Sequence, residues 1–229
     1  IDACLVGSEM CIRDSYIGDN QAETRPVHFG MINDWRLRRG VRMICIDPRQ
    51  TVTASKADWY LPIRPGADLA LFLALSYHIM EQELHDAAFC RNWVLGWQEW
   101  RDFLFERGYS PDWAEGITDI TAADIRRLAE EIATADGCVI FGSRGLNQHT
   151  NSVQTNRAAM FLAAITGNWG RPGGAYFNMG FGLGGEANAP KDRQTEPGKP
   201  RIRTSPTGWT EAMLTGRPYP LKALIANNN

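Results

Sequence analysis

The strongest constraint on what this chain can fold into is an alternation of pattern: from Tyr16 onward, short continuous apolar runs alternate with longer segments of helical periodicity. Runs such as Met43 to Ile46 and Cys138 to Phe141 are apolar throughout rather than at every second residue. A strand of that kind is buried on both faces, which requires a parallel sheet with helices covering each side. The order β, α, β, α therefore predicts an α/β domain with a Rossmann-like parallel sheet and helices on both faces. Tyr16-Ile17 reads as the end of a first strand, and Pro26 opens a helix that runs to about Arg39 and is closed by Gly40. Met43 to Ile46 stops at Asp47-Pro48, and Trp59 to Ile63 is a weaker strand. Pro65-Gly66 then turns the chain into its strongest helix, Asp68 to about Leu84.

Residues 86–116 carry Trp93, Trp97, Trp100 and Trp113 among charges. This pattern predicts short amphipathic helices whose rings pack over the core rather than forming an aromatic cage. Thr121 to Asp124 has the form of a capping box, and Ile125, Leu128, Ala129 and Ile132 follow as one apolar helix face. The Cys138 strand leads directly into Gly142-Ser143-Arg144-Gly145, and a further helix is expected from about Val153 to Thr166. Residues 170–208 are rich in Gly, Pro and Asn and are read as irregular chain that lines a site or links two domains.

The expected organisation has three parts. Leu5 to Ser15 resembles the translation of a sequencing-library adapter, so residues 1–15 are set aside as a non-native segment. Residues 16–180 are assigned to the α/β domain, and 181–229 to an irregular crossover followed by the first strand of a second, similar domain, Leu221 to Ala226. That strand and the Asn227 after it look like a pseudo-repeat of Tyr16 to Asn20. With Ile1 at one end and Asn229 just past that strand at the other, the sequence is read as an incomplete piece of a longer polypeptide, inactive on its own.

A net charge of −2 provides no positive field for nucleic acid, and the longest apolar runs, such as Leu69 to Leu75, are too short to cross a bilayer. Neither nucleic acid nor direct membrane insertion is expected. The five cysteines, at 4, 11, 45, 90 and 138, include no C-x-x-C pair, so no zinc or iron–sulfur ligand set can be read from them and no metal ligand is expected in this stretch. Cys45 and Cys138 sit inside apolar runs as small hydrophobes do, which favours a reducing compartment such as the prokaryotic cytoplasm while leaving localisation open.

In an open parallel sheet, ligands bind at the carboxyl ends of strands. Three such ends carry unusual residues here: Gly18-Asp19-Asn20-Gln21-Ala22-Glu23-Thr24, Asp47-Pro48-Arg49, and Gly142 through His149. Glycines let a backbone approach phosphate, Arg pairs with phosphate oxygens, and an Asp at a strand end can accept from ribose hydroxyls or a guanine edge. Each feature also has a plainer reading. Gly142 and Gly145 can be turn glycines, Asp47-Pro48 a strand stop, and Pro65 to Asp68 a turn with a helix cap. His149 is the one histidine in the glycine loop, whereas His28, His78 and His85 fall on helices or their ends, as packing or surface residues.

The joint order of these motifs is more specific than any one of them. Ile17 to Pro26, Ile46 to Thr51 with Ala57-Asp58, Leu61 to Asp68, Gly142 to His149 and Ile165 to Gly174 together resemble the molybdopterin oxidoreductases of the dimethyl sulfoxide reductase family, over essentially residues 16–229. Two positions depart from that pattern. Gln21 stands where the family usually has proline, and Asp19 stands where relatives often have a small residue, so that its carboxylate would be awkward beside a phosphate unless it faces solvent.

The resemblance implies that Asn20, Glu23 and Thr24 approach a pterin guanine dinucleotide from the first loop and Asp47 and Arg49 from the second. It implies that Gly66 and Asp68 read the guanine edge. Gly142, Arg144, Gly145, Asn147 and Gln148 would line the pterin and diphosphate side, with His149 nearby. The implied cofactor is bis(molybdopterin guanine dinucleotide) with molybdenum or tungsten, with the metal's protein ligand and a 4Fe-4S cluster lying upstream. The implied activity is two-electron redox of a small substrate, formate-dehydrogenase-like or reducing an oxyanion or sulfur compound, with an electron-transfer subunit as partner. A non-redox hydratase of the same family, or a metal-free scaffold subunit related to the large subunit of respiratory complex I, remains as an alternative. A nicotinamide dehydrogenase is disfavoured because no Gly-x-Gly-x-x-Gly follows the first strand.

Overall fold

Alternate residues of each strand enter two different cores, which is why the strands are apolar throughout. The computed structural model describes residues 13–171, 173–178, 206–217 and 220. Strands β1 (Arg13–Ile17), β2 (Arg42–Ile46), β3 (Trp59–Leu61), β4 (Cys138–Gly142) and β5 (Ala175–Asn178) form one sheet in the order β3-β2-β1-β4-β5. Every pairing in it is parallel. Between the first strands lie α1 (Gln21–Thr24), α2 (Pro26–Arg39) and α3 (Val52–Lys56). After β3 come α4 (Asp68–Glu81), α5 (Ala87–Trp93), α6 (Trp97–Arg107), α7 (Pro111–Thr118) and α8 (Ala122–Ala133). After β4 come α9 (Arg144–Asn147) and α10 (Ser152–Ile165), and α11 (Pro206–Thr215) follows β5.

Tyr16, Met43, Cys45, Val139 and Phe141 enter a small core closed by Phe29 of α2 and Ala54 of α3. In it the Tyr16 and Phe141 rings stack 4.7 Å apart. The residues between them, Ile17, Ile44, Ile46, Cys138 and Ile140, enter a larger core on the opposite face with α4, α7, α8 and α10. Helix α4 packs against α7, α8 and α10, so an apolar stripe would not suffice and it is apolar nearly all round. Burying one of its large side chains, such as Phe72, contributes about 1.5–3 kcal/mol. The helices thus cover both faces, as the sequence pattern predicts.

The helix ends follow from local chemistry. Gly40 closes α2 in the left-handed region at φ 68°, and Thr121 caps α8 by accepting the Asp124 N–H at 3.1 Å. Arg36 turns inward from α2, donating to Asp58 Oδ2 at 2.8 Å, and the same oxygen accepts the Met43 N–H at 2.7 Å. This pair fastens α2 to the β2–β3 connection.

Several expectations are corrected. The first strand begins at Arg13, so residues 13–15, set aside on sequence, pair with both β2 and β4. Parallel pairing uses backbone groups that every residue supplies, so the end of a segment set aside for its likeness to an adapter can still extend the strand. The stretch expected to be irregular from residue 170 contains β5, an outer strand of four residues that needs no long apolar run. Trp97 and Trp113 pack on the larger core and Trp100 stacks on Phe161 at 5.0 Å, but Trp93 is 78% exposed. It ends a seven-residue helix that buries Cys90, and a helix that short can turn only one side inward.

The chain divides into two compact units, residues 1–179 and 180–229. In the second, α11 was not anticipated, and the expected strand at 221–226 lies outside the described residues. No described helix is long and apolar enough to cross a membrane.

Candidate cofactor site

The strand order runs outward from β1 through β2 to β3 on one side, while β4 starts again on the other. The carboxyl ends of β1 and β4 therefore mark the switch point where an open α/β sheet leaves room for a ligand. There the two loops meet backbone to backbone. The Gly145 N–H donates to Gly18 O at 3.1 Å, and the Gly18 N–H donates to Ile46 O at 3.0 Å. A Cβ added at Gly145 would lie 2.6 Å from Gly18 Cα, so this closeness exists only because both residues lack one. Gly18 also has φ +58°, which other residues adopt at a cost.

Further contacts gather the remaining loops. Arg49 Nη2 lies 3.4 Å from Glu23 Oε2, joining the β1 and β2 loops. Asp47 Oδ1 accepts the Arg49 N–H at 2.9 Å, and Tyr60 donates to the Asp47 carbonyl at 3.0 Å. Gly66, at φ +81°, leaves the space a side chain would fill: a Cβ there would sit 3.4 Å from His149 Nδ1. Asp68, 7% exposed in the first turn of α4, feels both His149 and Asp47 electrostatically. Asp47, Gly66, Asp68 and His149 thus share one neighbourhood, reached from three separate stretches of chain.

Other expected site residues serve the scaffold. Thr24 donates its hydroxyl to the Asn20 carbonyl at 2.9 Å, and Asn147 Oδ1 accepts from Asn156 of α10 at 3.0 Å. Gly142 is not in the loop at all: it ends β4, buried and paired with Ile17 and Asn178. Arg144 and Gln148 are exposed at the loop surface.

Asp19 does not face solvent. It is 3% exposed, accepts from Gln21 Nε2 at 2.8 Å, is hydrogen-bonded by Ser143, and lies 3.9 Å from Arg25. Gln21, itself 1% exposed, gives it a partner there. Ser143 and Thr53 were missed as site residues. Thr53 is fully buried and bridges loops, but a threonine in a Thr-Val-Thr run carries no signal of that in the sequence.

Burial is the first cause of the electrostatics here. It raises the Asp68 carboxyl above its ordinary value, with its own N–H and His149 opposing, and raises Asp47 and Asp19 in the same direction. A carboxyl raised on folding favours the folded state while protonated, so that contribution is complete below the unfolded value near 3.8 and is lost as pH rises through the raised folded value. Asp68→Asn, which cannot ionise, is therefore expected to gain on the wild-type cofactor-free protein as pH rises through that range. Urea midpoints of the two proteins across pH provide the check, and a constant difference would refute it.

A cavity of about 720 Å³ lies elsewhere, on the helical layer between α5 and α10, with Trp93, Leu95, Met160 and Trp169 in its lining. Among the described residues, no group of three His, Cys, Asp or Glu side chains is arranged to hold a metal ion. Cys45, Cys90 and Cys138 are buried thiols outside any disulfide; burial pushes Cys45 up to about 12 and Cys90 up to about 11.

The architecture is that of the doubly wound α/β domains, in which cofactors sit at the edge just described. Comparison with known proteins makes the class particular. The molybdopterin oxidoreductase family matches residues 15–213, and the chain belongs to that family. It is 34% identical over 155 residues to formate dehydrogenase H of Escherichia coli K12, covering 68% of this chain and 21% of that protein. It is also 34% identical over 178 residues to the dimethyl sulfoxide reductase DmsA of the same organism, covering 69% and 22%. The solved structure of acetylene hydratase from Pelobacter acetylenicus superposes with a TM-score of 0.63 at 33% identity, covering 68% of this chain and 21% of that one. The chain thus spans about a fifth of the length of the relatives it matches. Membership implies a molybdopterin cofactor carrying molybdenum or tungsten.

Proposed function

We propose that this chain belongs to the catalytic subunit of a molybdenum or tungsten oxidoreductase, and that its β1 to β4 loops hold one guanine dinucleotide tail of a bis(molybdopterin guanine dinucleotide) cofactor. The observation that carries this reading is the gathering of Asp47, Gly66, Asp68 and His149 beside the glycine contact of Gly18 and Gly145. Two carboxylates there are raised by burial, so each gains from a ligand edge that supplies N–H or O–H donors, as guanine and ribose do. Gly66 keeps the backbone beside the His149 ring free of a side chain, and the exposed Arg49 and Arg144 guanidinium groups offer charge to a diphosphate. On these grounds the residues present fit the group.

When bound, the metal and its pterins supply two-electron exchange with a small substrate. This chain's residues bind the nucleotide end, fix its orientation and exclude water from its polar edge. Asn20 and Glu23 would meet it from the first loop and Gln148 from the last. The metal's protein ligand, a 4Fe-4S cluster and an electron-transfer subunit are assigned to other parts of the complete enzyme. Its reaction is placed among formate oxidation and the reduction of oxyanions or sulfur compounds. A non-redox hydration is the second reading, favoured by 35% identity over 156 residues to the acetylene hydratase of Syntrophotalea acetylenica.

Metal analysis of the complete enzyme tests the proposal. Stoichiometric molybdenum or tungsten, with guanine released on acid hydrolysis, is expected. Nicotinamide binding by a metal-free protein would overturn it.

A further inference from the structure

Asn20 can meet a ligand in two opposite ways, because its carboxamide has an accepting oxygen and a donating nitrogen on nearly symmetric arms. What decides between them is a neighbour that no motif singles out. Thr53, in the first turn of α3 and fully buried, places its hydroxyl between two groups of the β1 loop. Its oxygen accepts the Ala22 N–H at 2.9 Å, and its proton goes to Asn20 Oδ1, also at 2.9 Å. With the hydroxyl already accepting from Ala22, the favourable atom for Asn20 to present to it is an acceptor. The carboxamide oxygen is thereby committed to α3. The Nδ2 group has no hydrogen-bond partner among the described residues, and Asn20 is only partly buried.

The Asn20 backbone is fixed independently. Its carbonyl accepts both the Thr24 N–H at 3.1 Å and the Thr24 hydroxyl at 2.9 Å, and Gly18, two residues earlier, is bonded to β2 and to the β4 loop. The remaining freedom at this position is rotation of the amide, and the Thr53 hydroxyl removes it.

We propose that Thr53 is a positioning residue, which locks the Asn20 carboxamide with its NH2 outward so that the first loop offers a donor to the phosphate or carbonyl oxygens of the cofactor. This rests on the dinucleotide reading above. It deepens that reading by assigning polarity to the contact: the Asn20 side chain recognises an acceptor, not a donor. A hydrocarbon of the same shape at position 53 frees the amide to flip and leaves the partly buried Ala22 N–H without its acceptor.

The test uses the complete enzyme and follows guanine nucleotide and metal retained per protein during gel filtration and timed incubation. Thr53→Val is expected to lose cofactor roughly three- to tenfold faster than wild type, and Thr53→Ser, which keeps the hydroxyl, at the wild-type rate. In an Asn20→Ala background, Thr53→Val is expected to add less than about twofold, because its effect passes through the amide. Wild-type retention by Thr53→Val, or an undiminished effect in the Asn20→Ala background, would overturn the proposal. Should Thr53→Val fail to fold, Asn20→Asp takes its place: it keeps an oxygen toward Thr53 but replaces the donor with an acceptor. It is expected to lose cofactor about tenfold faster with an unchanged unfolding midpoint, and wild-type retention would again overturn the assignment. A wild-type enzyme without guanine would instead sink the dinucleotide reading itself, so the two failures are distinguishable.

Discussion

Gly145→Ala is expected to destabilise the cofactor-free protein by about 1–3 kcal/mol and to strip the complete enzyme of most of its cofactor. The added methyl would lie 2.6 Å from Gly18 Cα and 2.7 Å from Gly18 O. Both are backbone atoms, so no side chain can rotate out of the way. Gly145 itself does not need the left-handed region, so the whole effect comes from this contact rather than from strain at the substituted residue. Moving the loops apart also breaks the bond from the Gly145 N–H to Gly18 O and pulls on Gly18, whose own N–H is held by Ile46. The damage therefore spreads along the carboxyl ends of β4, β1 and β2. Urea unfolding and guanine content per protein measure the two effects. A wild-type midpoint would mean that the two loops do not touch in solution.

The sheet and its covering helices were largely legible because they rest on periodicity, which a single sequence displays. Met43 to Ile46 and Cys138 to Phe141 could only be strands buried on both faces, and Pro26 and Gly40 mark the ends of α2 as observed. Pattern was silent where pairing depends on backbone alone. The short outer strand β5 is of that kind, whereas the start of β1 at Arg13 was hidden by the likeness of residues 5–15 to an adapter.

For the candidate site, motif order singled out loops that the structure brings together, but it could not say which partner each side chain would take. Asp47, Asp68 and His149 come together, yet Thr24 and Asn147 spend their side chains on Asn20 and Asn156, and Gly142 remains in the sheet. Such roles depend on which way a side chain turns from a loop, and that is set by partners distant in sequence. Thr53 lies 33 residues from the asparagine it holds. Asp19 is the clearest example, because its burial is made tolerable by Gln21 and Ser143 together, and neither residue alone announces that in the sequence.

Asp68→Ala is expected to affect the loaded enzyme far more than the cofactor-free protein, which makes it the most discriminating substitution. In the cofactor-free protein Asp68 is a desolvated carboxyl in the first turn of α4. Removing it relieves that desolvation and forfeits only the favourable placement of an acid at a helix N-terminus, about 0.3–1 kcal/mol. Little net loss of stability follows. If Asp68 accepts from the guanine edge, as proposed, the same substitution in the loaded enzyme leaves those donors facing an apolar methyl, a loss of roughly 1–3 kcal/mol, or about 5- to 150-fold in retention. A residue that merely supported the helix would lower both quantities together. Retained guanine after gel filtration, set against the unfolding midpoint of the cofactor-free protein, separates the two. Cofactor content and activity at wild-type levels would remove Asp68 from the binding site. A parallel fall in midpoint and retention would make it a helix cap instead.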